Sequence, residues 1–356
     1  MTSGQKLVVI SSTWGPDSLL ATDPALPRRL TAELPADEFR VMLALHPNIR
    51  AHHSRWQVSQ YLSGAERAGA HVPDDVDYWR AGVVAADLVV GDHGSVPFYS
   101  AALGNPLLLA TAPVHTVDPG SPIARLLSTA PLLDRNSDLA DQARQAIDDH
   151  QPERYAAIGA LTTSAPDASA ELLREAMYQT MRLPEPDHPA DIAALPLPPT
   201  PLTGADAHVV HVEMDAKRSA TITRFSAERL HTNTKVRRNT HLAVGVRAPQ
   251  RRWLELADII IGAAGEDTVT WICSTLARLP GCEIAAAPTG NGHWIVGNQD
   301  RQLQVNASDL PSRLFASLAY HLISRNKTID DLMGKWTVKC AGNTYSVDVN
   351  AIAPHQ

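Results

Sequence analysis

The sequence predicts an α/β first half, built on an open parallel sheet with helices on both faces, followed by a separate α+β domain. Three observations carry this prediction. Short apolar runs alternate with helical patterns in the first half, a proline-rich run divides the chain once, and the second half changes to paired strands with glycine turns. With 356 residues, 44% of them hydrophobic, the chain is long enough for two domains with separate cores.

Five apolar runs in the first half are predicted as strands. They are apolar throughout rather than alternating, which is typical of strands covered on both faces. Helical patterns such as "DSLLATDPALPRRLTAEL" and "VDYWRAGVVAAD" lie between them. We therefore expect right-handed βαβ crossovers and a mostly parallel, doubly wound sheet. The five runs are "KLVVIS", "FRVMLALHP", "GAHVP", "ADLVVGD" and "PLLLATA".

The division of the chain falls in the segment 184–204. Seven prolines lie between Leu183 and Leu202, and such a run behaves as a stiff, extended spacer. Residues 1–204 carry 24 acidic and 14 basic side chains, whereas residues 205–356 carry 14 and 17. We expect a first domain at residues 1–183, a linker at 184–204 and a second domain at 205–356.

The second half resembles no family that we can name, and its pattern predicts an α+β domain. A helix closed by Gly281 is expected over 267–281, a β-meander over 282–308 and an amphipathic helix over 310–325. The alternation around Gly342-Asn343 predicts a hairpin over 335–349. Four further strands are predicted at 207–215, 219–225, 240–246 and 257–263.

Charge and cysteine content exclude several classes of protein. The net charge of −7 argues against bulk attraction to DNA, and no apolar run approaches the ~20 residues that span a bilayer. The N-terminus lacks the features of a signal peptide. Three cysteines without a C-x-x-C pair predict free thiols in a reducing compartment. We expect a cytoplasmic protein with no metal site and no cofactor.

A basic stretch runs from Lys217 to Arg252, with ten Lys or Arg residues and a single acid, Glu228. It is able to bind phosphate, an acidic partner or nucleic acid. The competing interpretations are a solvated basic face, or a patch that docks on the acidic first half. No aromatic stacking motif for RNA accompanies it, so we favour these competing interpretations.

Three polar turns follow predicted strands of the first half, and they define the candidate site. They are "SSTWG" at 11–15, "HPN" at 46–48 and "GDHGS" at 91–95. Parallel strands end at one edge of the sheet, where ligands of such sheets bind. Gly94 allows close approach of backbone, and Ser95 is expected to cap a helix whose free N–H groups suit a phosphate. The candidate residues are Ser12, Thr13, His46, Asp92, His93, Gly94 and Ser95.

Each candidate also has a purely structural interpretation. Any βαβ protein needs a glycine and a cap at such a turn. His46 is either a phosphate contact or a turn histidine, His93 either a phosphate partner or a solvated residue, and Asp92 either a ligand contact or a turn residue. Trp14 is expected to pack rather than to stack on a base. His52, His53 and His71 are expected at the surface or in loops.

The strand "LVVISSTWG", the "ALHP" turn and the segment "DYWRAGVVAADLVVGDHGSVPFYSAALGNPLLL" resemble the donor-binding half of a GT-B glycosyltransferase. The nearest pattern is that of CDP-glycerol glycerophosphotransferases of teichoic-acid synthesis, and UDP-N-acetylglucosamine 2-epimerases share the plan. The resemblance covers about residues 6–183. It implies a Rossmann-like domain that binds a CDP- or UDP-linked donor through its strand-end turns, in an enzyme of bacterial cell-envelope polymer synthesis.

Two departures from the family pattern affect this interpretation. The family places an acidic residue, which reaches donor hydroxyls, where this sequence has Tyr99, and the first Ser of its Ser pair is replaced by Gly94. The family also places an acceptor domain before the donor half, so we expect a separate partner to supply it. No catalytic residue is assigned. The resemblance implies a glycosyl- or glycerophospho-transferase, or a remnant of one. The alternative is a non-catalytic interaction or sensing protein that uses its basic second domain for a partner.

Overall fold

The computed structural model describes residues 4–75, 77–190, 194, 204–232, 239–263, 265 and 267–352. Most of the predicted linker, residues 191–193 and 195–203, lies outside this described part. By its internal contacts the chain forms two compact units. Unit 1 comprises Met1–Pro27, Val41–Ser63 and Ala70–Leu202, and unit 2 comprises Arg28–Arg40, Gly64–Gly69 and Thr203–Gln356.

The sheet of the first half confirms the parallel α/β prediction. Its strands are β1 (Lys6–Ser12), β2 (Phe39–Leu45), β3 (Leu88–Gly91) and β4 (Leu107–Leu109). Across the described residues they form a four-stranded sheet in the order β2-β1-β3-β4. β1 pairs in parallel with β3, and β3 in parallel with β4. Their residues are buried almost throughout, as expected for strands covered on both faces.

The predicted strand "GAHVP" is wrong, because this segment forms a single isolated bridge between His71 and Met42. The N–H of His71 donates to the carbonyl of Val41 at 2.8 Å, and the N–H of Leu43 donates to the carbonyl of His71 at 2.9 Å. Two residues further on, Pro73 has no N–H to donate to the next rung of a ladder. The pairing therefore stops after one residue.

Helices connect these strands. The predicted helix after β1 is broken in two, because Asp23 ends the first helix and Pro24 cannot donate to it. Ser121 and Asp138 cap two later helices with their side chains. The helices are α1 (Leu19–Thr22), α2 (Leu26–Glu33), α3 (Pro47–His52), α4 (Arg55–Ala68), α5 (Tyr78–Ala85), α6 (Ser95–Ala102), α7 (Pro122–Thr129), α8 (Leu139–Asp148), α9 (Ala156–Gly159) and α10 (Ser169–Met181).

The second half folds into a closed barrel, which is more regular than the predicted α+β arrangement. Three helices accompany it: α11 (Arg251–Leu256), α12 (Thr268–Arg278) and α13 (Asp309–Ile323). The strands are β5 (Ala207–Ala216), β6 (Ser219–Ser226), β7 (Thr240–Gly245), β8 (Ile259–Ile261), β9 (Ile284–Pro288), β10 (Trp294–Gly297), β11 (Gln302–Asn306), β12 (Gly334–Cys340) and β13 (Asn343–Ala351).

The described strands of the barrel follow the order β10-β11-β13-β12-β6-β5-β7-β8-β9, and β9 pairs with β10 to close it. Pairing is mixed, since β12–β6, β7–β8 and β8–β9 are parallel and the other pairs are antiparallel. The predicted meander is confirmed as β9, β10 and β11. Closure leaves no unpaired sheet edge in this ring of strands.

Helix α13 packs against β5, β6, β8, β9, β10, β12 and β13. Leu314, Phe315 and Leu318 are fully buried, and so are its small residues Ser312 and Ala316. Most of this helix is buried, whereas Asp309 and Arg313 near its N-terminus are exposed and pair with each other at 3.0 Å. The three cysteines are free, with Cys273 exposed and Cys282 and Cys340 buried.

The predicted hairpin forms from β12 and β13, with its turn one residue earlier than expected. Cys340 pairs with Asn343, so Ala341 and Gly342 are the turn residues. Both have a positive φ, 48° and 76°, which is the requirement of a type I′ two-residue turn. Alanine rarely adopts a positive φ. The sequence "AGN" therefore favours a turn at Gly342-Asn343 over the observed turn at Ala341-Gly342.

A nearly buried ion pair lies in unit 2. Arg224 on β6 donates to both carboxylate oxygens of Asp37, at 2.8 and 2.5 Å, and their side chains are 15% and 10% exposed. Burial alone would raise the pKa of the Asp37 carboxyl, but the charge and hydrogen bonds of Arg224 hold that pKa at about 2. The Cys340 thiol donates to the same carboxylate at 3.3 Å.

Much of the basic stretch is engaged inside unit 2. Glu228, which is 1% exposed, is contacted by Arg28 at 2.6 Å, Arg67 at 3.0 Å and Arg252 at 3.4 Å. Arg218 donates to the carbonyl of Met333. Residues Lys235, Arg237 and Arg238 of the stretch lie outside the described residues. Within the stretch, Arg218, Arg224 and Arg252 thus have partners inside this unit.

Replacing Asp37 with Asn is expected to destabilise the protein by about 3–5 kcal/mol, because it leaves the Arg224 guanidinium buried without a counter-charge. The folded pKa of Asp37 is about 2 and the reference value is 3.8. The stabilisation is therefore complete above about pH 4 and is lost as the pH falls toward 2. Urea unfolding of both proteins between pH 2.5 and 7 measures this.

Asp330→Asn is the matched control, since Asp330 pairs with Arg301 at 3.0 Å while both side chains are about half exposed. Exposed pairs contribute about 0–1 kcal/mol. Equal losses for the two variants at pH 7 would show that the Asp37 pair is no more important than a surface pair.

Candidate functional site

The strand order places a topological switch point between β1 and β3. From the central strand β1 the sheet continues to β2 on one side and to β3 on the other. In open parallel sheets, ligands bind at the carboxyl ends of the strands at such a point. Six of the seven predicted site residues lie at the end of β1, in the loops after β1 and β3, or at the start of α6, and His46 follows β2.

The carboxylate of Asp92 joins the two loops at this switch point. Its Oδ2 atom accepts the backbone N–H groups of Thr13 at 2.9 Å and Leu19 at 2.8 Å. Its Oδ1 atom accepts the N–H of Gly94 at 3.0 Å. The residue is fully buried, so three otherwise unpaired N–H groups depend on one side chain.

Gly94 is required by the close approach of the two loops. A Cβ atom at this position would lie 3.1 Å from the Cβ of Thr13 and 3.2 Å from Oδ1 of Asp92. Gly94 is also the N-cap of α6 and has an extended conformation. The prediction that Ser95 caps this helix is therefore wrong. Ser95 is the first helical residue and is exposed, while Asp92 accepts the N–H of Gly94, the residue before it.

Ser12 and His46 connect the loops after β1 and β2. The Ser12 hydroxyl donates to the carbonyl of Thr13 at 2.9 Å and accepts the N–H of Leu20 at 3.2 Å. The N–H of His46 donates to the carbonyl of Ser12 at 3.0 Å. Nδ1 of His46 accepts the N–H of Asn48 at 3.1 Å, so the neutral ring carries its proton on Nε2 and retains a donor there.

His93 lies between Asp92 and Gly94, which are joined by a hydrogen bond in the loop after β3. Its Nδ1 atom is buried and has no hydrogen-bond partner within the described part of the chain. A buried, unpaired ring nitrogen is costly. The Ser95 hydroxyl is exposed at the same edge, whereas Nδ1 of His93 is unpaired but buried, so a ligand atom reaches it only if its surroundings move.

A cleft of about 660 Å³ opens beside the β1 and β2 loops. Its floor is apolar, with Leu20, Ile49, Val58 and Leu62. Aromatic side chains lie around it: Trp14 stacks on His52 at 5.4 Å between ring centroids, and His53 meets Tyr61 edge-on at 6.1 Å. The volume lies in the range of small-molecule sites.

The sequence analysis missed these cleft residues. Trp14 was expected to pack, yet it is 48% exposed, and Tyr61 is 67% exposed. His52 and His53 are at the surface as expected, but at the cleft. Trp14, in the first polar turn, was the residue from which the cleft could have been predicted. His53 and Tyr61 are eight residues apart in sequence and come together only when α3 and α4 fold.

Tyr99, which stands in place of the expected acidic residue, is on α6. It is 42% exposed and stacks on Trp79 at 6.0 Å. A carboxylate at this position would therefore be partly solvated. Across the described residues, no group of three or more His, Cys, Asp or Glu side chains is arranged to hold a metal ion. In the same part of the chain, no helix is both long and apolar enough to cross a bilayer.

No protein-family model and no curated protein matches this chain. Solved structures do match it. The wall teichoic acid polymerase TagF is 17% identical, with 51% of this chain and 44% of that chain covered and a TM-score of 0.33. The chain thus spans less than half the length of that enzyme.

Two further solved structures also match part of the chain. A 2-epimerase of Listeria monocytogenes, described as a putative UDP-N-acetylglucosamine enzyme, is 17% identical, with 53% and 49% of the two chains covered and a TM-score of 0.29. The C-terminal domain of a group 1 glycosyltransferase of Francisella tularensis is 12% identical, with 44% and 81% covered and a TM-score of 0.26. The groups named from the sequence motifs are thus among the structural neighbours, over about half of this chain.

Replacing Asp92 with Ala is expected to destabilise unit 1 by about 3 kcal/mol or more, because three backbone donors lose their acceptor. Hydrogen exchange at the amides of Thr13, Leu19 and Gly94 should accelerate before the rest of the sheet exchanges. Asp138→Ala is the control: this exposed carboxylate accepts two N–H groups of α8, and losing such a cap costs about 0.5–2 kcal/mol. Unchanged exchange at the three amides would contradict the role assigned to Asp92.

Proposed function

We propose that the carboxyl edge of the parallel sheet binds the diphosphate of a CDP- or UDP-linked donor, and that the protein is a transferase of the glycosyl- or glycerophospho-transferase type. The observation that carries the proposal is the pair of loops at the β1/β3 switch point, which Asp92 holds together at a close approach. Two rigid loops at this point are the usual framework of a nucleotide site in open α/β sheets.

The groups available to a diphosphate are few and specific. The Ser95 hydroxyl lies in the first turn of α6, where the positive end of the helix dipole favours an anion. Nε2–H of His46 is a donor whose tautomer is fixed. Nδ1 of His93 gains a partner if a phosphate oxygen reaches it. These groups would stabilise a leaving diphosphate by positioned hydrogen bonds rather than by covalent chemistry.

Asp92, Ser12 and Gly94 have a different role in this proposal. Their hydrogen-bonding capacity or space is already used between the loops. We propose that they position the site without contacting the ligand, and that Thr13 contributes through the geometry of its loop.

Ser95→Ala tests the diphosphate site without disturbing the fold. The hydroxyl is exposed and makes no cap bond, so stability should be unchanged. Affinity for CDP or UDP should fall about tenfold, the value of roughly 1.5 kcal/mol for a hydrogen bond to an anion. Titration calorimetry with the full chain measures the affinity, and Ser128→Ala, which changes an exposed serine of α7, is the control.

The absence of heat and of any thermal shift with millimolar CDP, UDP and their conjugates would contradict the proposal. A ligand at 100 times its Kd stabilises the folded state by about 2.7 kcal/mol, which a melting curve detects. The alternative of a non-catalytic scaffold would then be preferred.

Tyr99→Glu restores the acid that the family resemblance implies at this position. Because Tyr99 is 42% exposed, the variant should fold, and the lost stacking on Trp79 should cost about 0.5–1.5 kcal/mol. Affinity for the donor should be retained or increased, since a carboxylate accepts hydrogen bonds from donor hydroxyls. Tyr99→Gln removes the ring without adding charge and is the control. Weaker donor binding by the Glu variant than by the Gln variant would contradict this arrangement.

A further inference from the structure

Helix α10 presents its apolar side chains to the solvent. All 13 of its residues are described, and none of them is buried. At about 100° per residue, five apolar side chains fall on one half of the helix, and we call this half the apolar face. They are Leu172, Leu173, Ala176, Met177 and Met181. All five are exposed, and the four large ones are each more than half exposed. A surface helix normally turns such a face toward the core, and an exposed one marks an interaction site.

The other side of the helix is held by the chain that follows it. Arg174 pairs with the carboxylate of Glu185 at 3.1 Å. It also donates to the carbonyls of Pro186 and His188, both at 2.8 Å. Its guanidinium lies over the ring of Tyr178 on the next turn, 5.9 Å from the ring centroid. The helix cannot rotate to bury its apolar face without breaking these contacts, so the apolar face is available to a partner.

The spacing of the apolar face is symmetric about Met177. Leu173 lies four residues before it and Met181 four residues after it, so the three side chains occupy neighbouring turns. Two copies of α10 that pair antiparallel about a two-fold axis at Met177 bring Leu173 of each copy against Met181 of the other. Met177 then meets its own equivalent on the axis. A two-fold interface requires a self-complementary surface of this kind.

The charges of the helix also favour an antiparallel pair. Glu171 lies in its first turn, Glu175 follows on the next turn, and Arg182 ends the helix in a left-handed conformation. Antiparallel pairing places the acidic end of one helix beside the basic end of the other and opposes the two helix dipoles. These charged side chains fall outside the apolar face, so pairing buries none of them on the axis.

We propose that the apolar face of α10 is a homodimer interface, on which a second copy of this chain packs its own α10 antiparallel. The proposal does not depend on the nucleotide site, because it uses none of the residues of that site. A membrane surface fits this helix less well. Helices that lie on membranes carry Lys and Arg along their polar side, whereas this one has Glu171 and Glu175 there and its Arg174 is paired with Glu185.

Sedimentation velocity on the full chain tests the dimer. The wild-type protein should show a monomer–dimer equilibrium at micromolar concentrations, since a small interface gives a weak complex. Met177→Glu should raise the dissociation constant about a hundredfold or more, because it brings two carboxylates together on the axis. Its melting temperature should be unchanged, because the Met177 side chain is exposed. Leu256→Glu is the matched control: it changes an exposed leucine of α11 and should leave the dissociation constant unchanged.

A charge exchange tests the antiparallel register. Leu173→Glu and Met181→Lys, made separately, should each weaken the dimer about tenfold or more, because each places a charge against an apolar side chain of the other copy. Combined in one chain, they should restore much of the affinity, because each introduced Glu then meets an introduced Lys. In a parallel pair the same double variant would oppose like charges and remain monomeric, which would overturn the proposed arrangement.

Two results would overturn the homodimer itself. One is a wild-type protein that stays monomeric up to its solubility limit, and the other is a dimer that Met177→Glu leaves unchanged. Binding to vesicles of anionic phospholipid that Met177→Glu abolishes, with no dimer in solution, would assign the apolar face to a membrane and overturn the proposal as well. The affinity for CDP or UDP should not respond to Met177→Glu, so the outcome for the dimer is distinguishable from the outcome for the diphosphate site.

Discussion

One buried carboxylate decides the geometry of the strand-end edge in unit 1. Asp92 accepts the N–H groups of Thr13 and Leu19, 79 and 73 residues earlier in the chain, and of Gly94 in its own loop. The side chain is fully buried, so each N–H would be costly without it. Gly94 allows the approach and Thr13 fills the space beside it. Loop spacing, the start of α6 and the start of α1 all follow from this one side chain.

The strands of unit 2 are arranged around one helix, α13. This helix is buried along most of its length, and the ring of described strands that packs against it has no open sheet edge. The Asp37–Arg224 pair and the three arginines around Glu228 then satisfy the charges that this packing buries. The described basic residues of this unit are consequently less available to an outside partner than their number in the sequence suggests.

The sequence predicted what depends on local pattern. Continuous apolar runs identified β1 to β4, and alternation around a glycine identified the β12–β13 hairpin. The predictions from sequence were wrong where residues distant in the chain determine the local structure. "GAHVP" has strand composition, but Pro73 ends its pairing after one residue. Helix α13 is predicted as amphipathic, but strands distant in sequence bury most of it, and its exposed residues Asp309 and Arg313 lie at its N-terminal end. Ser95 has the chemistry of a cap, but the helix begins at Ser95 itself, after Gly94 is held by Asp92.

The same distinction applies to the site. Polar residues after three strands could be found by reading the chain, because parallel strands end at one edge. The sequence does not predict which of these residues remain unpaired, because their hydrogen-bond partners come from distant parts of the chain. Asp92 and Ser12 are engaged, whereas Ser95, Nε2 of His46 and Nδ1 of His93 are left. A diphosphate needs such a small set of fixed donors, because positioned hydrogen bonds stabilise its charge.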